Sequence, residues 1–134
     1  MSRPQTVISW ALQLLAAGIL LQTLFFKFTG AEESVYIFTT VGAEPWGRIG
    51  SGVLELFAAV MLLTPALVLY GAILAIGLMT GAILSHLTLL GIEVKGDGGL
   101  LFGLALTTLI SSAIVVLIRR EQIPLIGRYL GVAA

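Results

Sequence analysis

The chain has no cysteine. Disulfide exchange, thiolate metal sites and iron–sulfur ligation are therefore excluded on either side of a membrane, and any redox role has to borrow its cofactor. Charge is scarce too: 10% of residues are Asp, Glu, Lys or Arg against 58% hydrophobic, with a mean hydropathy of +1.09. A soluble domain of 134 residues needs far more charge to coat its surface, so this is the composition of a membrane protein. The charge present is balanced, seven basic residues against seven acidic, and nothing draws the chain to nucleic acid. The single histidine, His86, with one carboxylate leaves a metal's coordination sphere half empty, so no metal site is expected. His86 and Met79, seven apart on one helix, cannot both be axial ligands of one haem iron. There is no nucleophile-and-base arrangement and no glycine-rich phosphate loop after a strand.

What the chain does contain is four long apolar runs, at about 6–26, 47–63, 66–90 and 99–118, each near the roughly 20 residues of a bilayer crossing. Joined by short loops they use up residues 1–134, which predicts an all-α, single-domain, four-transmembrane-helix bundle. The run from Val7 to Phe26 exceeds the apolar core of a cleaved signal peptide, about 7 to 15 residues, so it is expected to persist as the first span. Gln13 and Gln22 interrupt it and are expected to hydrogen-bond between helices. Thr64-Pro65 leaves almost no loop after the second run, so runs two and three form an antiparallel hairpin. Gly77 with Gly81, and Gly99 with Gly103, have the small-xxx-small spacing of close helix approach. The fourth run is the least charged and reads as a packing helix. After Arg119-Arg120, the tail Glu121 to Ala134 has an interfacial pattern.

Between Lys27 and Trp46 the chain does more than turn. Thr29 followed by Glu32 has the spacing of a capping box, Glu33 adds charge in the first turn, and Gly42 offers a stop. These predict a short amphipathic helix at about 31–41, with Val35, Ile37, Phe38 and Val41 on its apolar side, lying on the membrane or dipping into the bundle as a lid.

Four crossings put both termini on one side. That side carries Arg3, Arg119, Arg120 and Arg128 against Glu121; the other carries Lys27, Arg48 and Lys95 with Glu32, Glu33, Glu44, Glu93 and Asp97. The basic excess predicts cytoplasmic termini.

Glu55, near the middle of the second run, is the anomaly. A charge at bilayer depth costs from about 3 kcal/mol to more than about 10, depending on the scale, so it is paired, protonated or turned inward. Arg48, Ser51, Gly52, Glu55, Ala58, Ala59 and Leu62 share one helical face that suits a buried polar site. Glu55 lies roughly 10 Å from its end of the helix and His86 roughly 7 Å from the same side. Lys27 closes the first run there as well. Lys27, Arg48, Glu55 and His86 are thus expected to converge in one half of the bundle, with almost nothing titratable in the other. Two readings stand. Glu55 pairs with Lys27 or Arg48 only to hold helix register; or the cluster, with Ser85, holds a polar ring such as a quinone head group, which needs donors to its oxygens and a nearby acid or base.

Leu24-Phe25-Phe26-Lys27-Phe28-Thr29-Gly30, Gly52-Val53-Leu54-Glu55-Leu56 and Met79-Thr80-Gly81-Ala82-Ile83-Leu84-Ser85-His86, in that order, resemble the DoxX-like family of small four-helix bacterial membrane proteins. The likeness runs from Trp10 to about Ile118. It implies a four-helix bundle with the family's lysine, glutamate and histidine at Lys27, Glu55 and His86. It also implies association with respiratory or redox membrane complexes, since the family is named after a subunit of a thiosulfate:quinone oxidoreductase. Related proteins act as partners or assembly factors for other membrane proteins, and the cysteine-bearing redox relatives match this thiol-free chain poorly. The expectation is an accessory subunit that binds a quinone, holds no covalent cofactor and does no redox chemistry alone. The alternative is a structural or assembly subunit that meets other membrane subunits, or a second copy of itself, at its glycine stripes.

Overall fold

A computed structural model describes residues 1–122. Its five α-helices are α1 Arg3–Thr29, α2 Glu32–Thr40, α3 Trp46–Leu62, α4 Val68–Ser85 and α5 Leu100–Ile118. A 3-10 turn, Pro65–Leu67, leads into α4, and a π-turn, His86–Leu90, prolongs it. The expected interfacial tail beyond Gln122 lies outside the described residues.

Local chemistry sets the helix ends. α1 starts earlier than expected because Ser2 and Gln5 form a reciprocal capping box, with Pro4 in the first turn. Gly30, at φ +69°, ends it in the left-handed conformation that favours glycine. The expected capping box at Thr29 and Glu32 is not made. Thr29 still belongs to α1, and its hydroxyl donates back to the Phe25 carbonyl at 2.6 Å, so the N-cap of α2 is Ala31, which offers no side-chain cap. Glu32 and Glu33 do occupy its first turn, and Gly42 at φ +81° follows its end.

α1 packs against α3 and α5, and α4 against the same two, which closes a four-helix bundle. Three elements are long and apolar enough to cross a membrane: Arg3–Thr29, Pro65–Leu90 and Leu100–Ile118. α3 has 17 residues, about 25 Å at the helical rise, and falls short of that length. Large apolar side chains on the outside of all four helices, among them Phe25, Phe57, Tyr70 and Leu117, are exposed, as they are on a surface that meets lipid rather than water.

The bundle is unlike at its two ends. Around the α3–α4 turn the core is closed by Leu20 and Leu62 with Ala16, Ala17, Ala58, Ala59, Ala72 and Ala75, the alanines letting backbones approach. The closest approach is at Gly71, where a Cβ would lie 2.7 Å from the Leu62 nitrogen and 2.9 Å from the Ala58 oxygen. Gly77, Gly81 and Gly103 are not points of close helix approach within the bundle, since a Cβ there would meet nothing within 4 Å. At the opposite end α2 packs against α1, α3 and the π-turn after α4.

Candidate functional site: a cavity under a short helix

The end beneath α2 holds a cavity of about 530 Å³, lined by all five helices. Its size is that of a small-molecule pocket. Ile37 and Phe38 of α2 and Val41 at its C-cap line it, so three of the four residues on the apolar side read from the sequence cover the cavity, whereas Val35 does not. Leu101, Leu104 and Ala105 of α5 complete a mostly apolar wall; α5 is more than the packing helix it resembles in sequence.

Four of the five candidate residues, Lys27, Glu55, Ser85 and His86, line this one cavity. Glu55 is 4% exposed and forms an ion pair with Lys27. The helical face that carries it also buries Gly52, Ala58, Ala59 and Leu62, so small neighbours let α1 approach closely enough for the pair to close. The Thr23 hydroxyl, one turn before Lys27 on α1, lies 2.8 Å from the Leu20 carbonyl and 3.3 Å from the other Glu55 carboxylate oxygen, so these two acceptors share its one proton. The Lys27 ammonium also lies 5.6 Å from the Phe38 ring centre, a cation–π contact that joins the pair to the lid.

Arg48 is placed elsewhere. It does not line the cavity: its Nε donates to both Glu44 carboxylate oxygens, at 2.9 and 3.0 Å, and its Nη1 donates to the Lys27 carbonyl. Arg48 thus pins the carbonyl end of α1 to the start of α3, and it is Lys27 that partners Glu55.

His86 opens the π-turn. Its carbonyl accepts from the Gly91 N–H at 2.7 Å, five residues on, and its ring Nδ1 is 2.9 Å from the Gly91 carbonyl oxygen. Phe102 of α5 packs edge-on to the imidazole at 5.5 Å between centres. Met79 and Ala82 line the same wall, as their shared helical face requires. Ser85 donates its hydroxyl proton to the Gly81 carbonyl at 2.9 Å.

The α4–α5 loop is organised by Asp97. It accepts from the Val94 and Gly99 N–H groups at 3.0 and 2.8 Å and from Leu101, in the first turn of α5, at 3.1 Å. Burial opposes the carboxylate, but these backbone donors and the charge of nearby His86 outweigh it and hold the carboxyl below its ordinary value. Lys95 in the same loop bridges to Glu32 at 3.0 Å and lies 5.2 Å from the Tyr36 ring centre, tying the loop to the lid.

A second polar cluster sits at the closed end, where almost nothing titratable was expected. Arg119 is 5% exposed; its Nε donates to the Ser9 hydroxyl at 2.9 Å and its Nη2 to the Gln13 amide oxygen at 3.0 Å. Ser9 donates to that oxygen at 2.6 Å, and the Gln13 amide nitrogen donates to the Leu62 carbonyl at 2.8 Å. Gln13 therefore makes the interhelical bond expected of it, whereas Gln22 is exposed at the cavity rim. Among the described residues no carboxylate pairs with Arg119.

The residues that sequence reading missed are Thr23, Ser34 and the lid's Glu33, all on the cavity wall. Thr23 was detectable, standing four residues before Lys27. A model of the DoxX-like family matches residues 11–106. The chain belongs to the DoxX-like family. The matched stretch holds all four of the cavity's candidate residues and Arg48, and stops inside α5 before Arg119. No curated protein and no solved structure matches the chain.

Proposed function

We propose that this DoxX-like protein binds a quinone, or a lipophilic ring of similar polarity, in the cavity beneath α2, and serves as an accessory subunit of a membrane oxidoreductase. The observation that carries this is the gathering of Lys27, Glu55, Ser85 and His86 on one cavity with apolar walls. Apolar surface takes up the ring and its tail, while the lysine and the imidazole hydrogen-bond its oxygens. The chain crosses the bacterial inner membrane four times with both termini in the cytoplasm. α3 is the fourth crossing, at the short end of the range for spanning helices.

Titration of decylubiquinone into the purified protein in detergent tests the reading, with Glu55→Gln and His86→Ala beside the wild type. Saturable binding that weakens about tenfold or more in both variants supports it. Unchanged affinity in the variants, or no binding to any form, overturns it.

A second reading is favoured by one observation: both Glu55 oxygens already have protein partners, in Lys27 and Thr23. On that reading the pair only fixes helix register in a structural or assembly subunit. Glu55→Gln would then lower the melting temperature and leave ligand affinity and partner association intact.

A further inference from the structure

The hydrogen-bonding capacity left over in the cavity differs from wall to wall. A carbonyl can only accept, so at 2.9 Å from the Gly91 oxygen the His86 Nδ1 carries the proton. In the neutral ring Nε2 then holds a lone pair and can only accept. Nε2 has no protein partner among the described residues and is not sealed from the cavity. The neighbouring Ser85 has committed its proton to the Gly81 carbonyl, so it too offers lone pairs alone. With the His86 ring neutral and the Ser85–Gly81 bond kept, the α4 wall therefore presents acceptors.

The facing walls differ. Lys27 has three N–H donors and gives one to Glu55, so others remain. Ser34 of α2, 8% exposed, lines the cavity with a hydroxyl that has no partner among the described residues. A ring with oxygens at opposite ends is thus met by the Lys27 and Ser34 donors of α1 and α2, with the exposed Glu33 carboxylate beside them, and by acceptors from α4.

We infer that the cavity selects the hydroquinone, or another ring carrying a free hydroxyl, over the corresponding quinone. A quinone's second carbonyl, brought to the α4 wall, faces the Nε2 lone pair with no proton between them. The hydroquinone places an O–H there and satisfies both partners, while its other oxygen accepts from Lys27. No electron or group transfer is involved in the selection; it is a difference in binding. This inference rests on the reading of the cavity as a quinone-class site and adds which redox form it prefers.

The test compares decylubiquinone with its dithionite-reduced decylubiquinol, titrated anaerobically into the wild-type protein in detergent under mildly alkaline conditions. The expected result is a quinol affinity about tenfold or more above that of the quinone, the scale of one buried group left unmatched. In His86→Phe, which removes the acceptor and keeps an aromatic ring, the ratio falls towards one. Equal affinities in the wild type, or tighter quinone binding, overturn the inference and leave the site assignment standing. Binding of neither form overturns the site assignment and the inference together. The wild-type comparison decides the matter even if His86→Phe does not fold. If that variant folds and keeps the full preference, His86 is not its source and the inference fails.

Discussion

Gly91 and His86 are bonded to each other twice, by Gly91 N–H to the His86 carbonyl at 2.7 Å and by the His86 ring to the Gly91 carbonyl at 2.9 Å. The second bond requires Gly91 at φ +80° and ψ 172°, a conformation open essentially to glycine alone. Gly91→Ala is therefore expected to cost about 1–3 kcal/mol and to release the ring. Melting in detergent reads the first effect. Loss of decylubiquinone affinity in protein that remains folded reads the second.

Glu55 and Lys27 separate structural from functional roles by double substitution. Lys27→Met or Glu55→Leu alone leaves a charge in the bundle without its partner and is expected to destabilise by about 3 kcal/mol or more. The double variant replaces the pair with apolar side chains and is expected to recover most of that loss, since buried pairs gain little over a hydrophobic isostere. It should nonetheless lose the ligand. A double variant that is stable and still binds at wild-type affinity would confine the pair to holding the helices.

At the closed end, the expectation is reversed. Gln13→Ala strips partners from Arg119, Ser9 and the Leu62 carbonyl, and each buried polar group left unmatched costs about 1–3 kcal/mol. The melting temperature should drop clearly. Quinone affinity, measured below the new melting point, should stay within a factor of two or so, because this cluster shares no residue with the cavity wall.

Gly81 offers a substitution that fills space without strain. A Cβ there meets nothing within 4 Å, and Gly81 lines the cavity. Gly81→Ala is expected to stabilise the helix by up to about 1 kcal/mol. Gly81→Leu should fold as well and bind more weakly, since its bulk narrows the cavity. Titration of both variants checks the contrast.

Asp97 predicts a dependence on acidity outside the membrane. Its folded carboxyl lies below the ordinary value, so its contribution is fully present above that value of 3.8 and is lost as the pH falls further, through the lowered folded value. Hydrogen exchange at Gly99 and Leu101 should accelerate over that acid window. In Asp97→Ala the protection should be gone at every pH, at a cost of about 1 kcal/mol, as for other lost helix caps.

The parts of this architecture that could be read from sequence are those set by local periodicity. The apolar runs gave each long helix to within a few residues, and Glu55 announced itself because a charge in such a run needs a partner. Lys27 and His86 followed from depth alone. The capping box expected at Thr29 failed because the Gly30 turn keeps Thr29 inside α1, whereas the Ser2 and Gln5 box, equally local, was overlooked. The competition for Arg48 was also local: Glu44 stands one helical turn before it and takes its guanidinium. Arg119 was beyond reach, because its partners Ser9 and Gln13 lie 110 and 106 positions away and nothing in the spacing announces them. Glycine spacing did not mark the close contact within the bundle, for a physical reason: a missing Cβ permits close packing at Gly71 and equally permits a void at Gly77 and Gly81.

Photolabelling of the protein in native membranes with an azido-quinone, mapped by mass spectrometry, goes to the central claim most directly. Label suppressed by excess decylubiquinone and concentrated in residues 19–27, 33–41 and 77–90 is the predicted result. Label spread over outward-facing side chains such as Val7, Phe57 and Leu117, or undiminished by the competitor, would contradict a quinone site beneath α2.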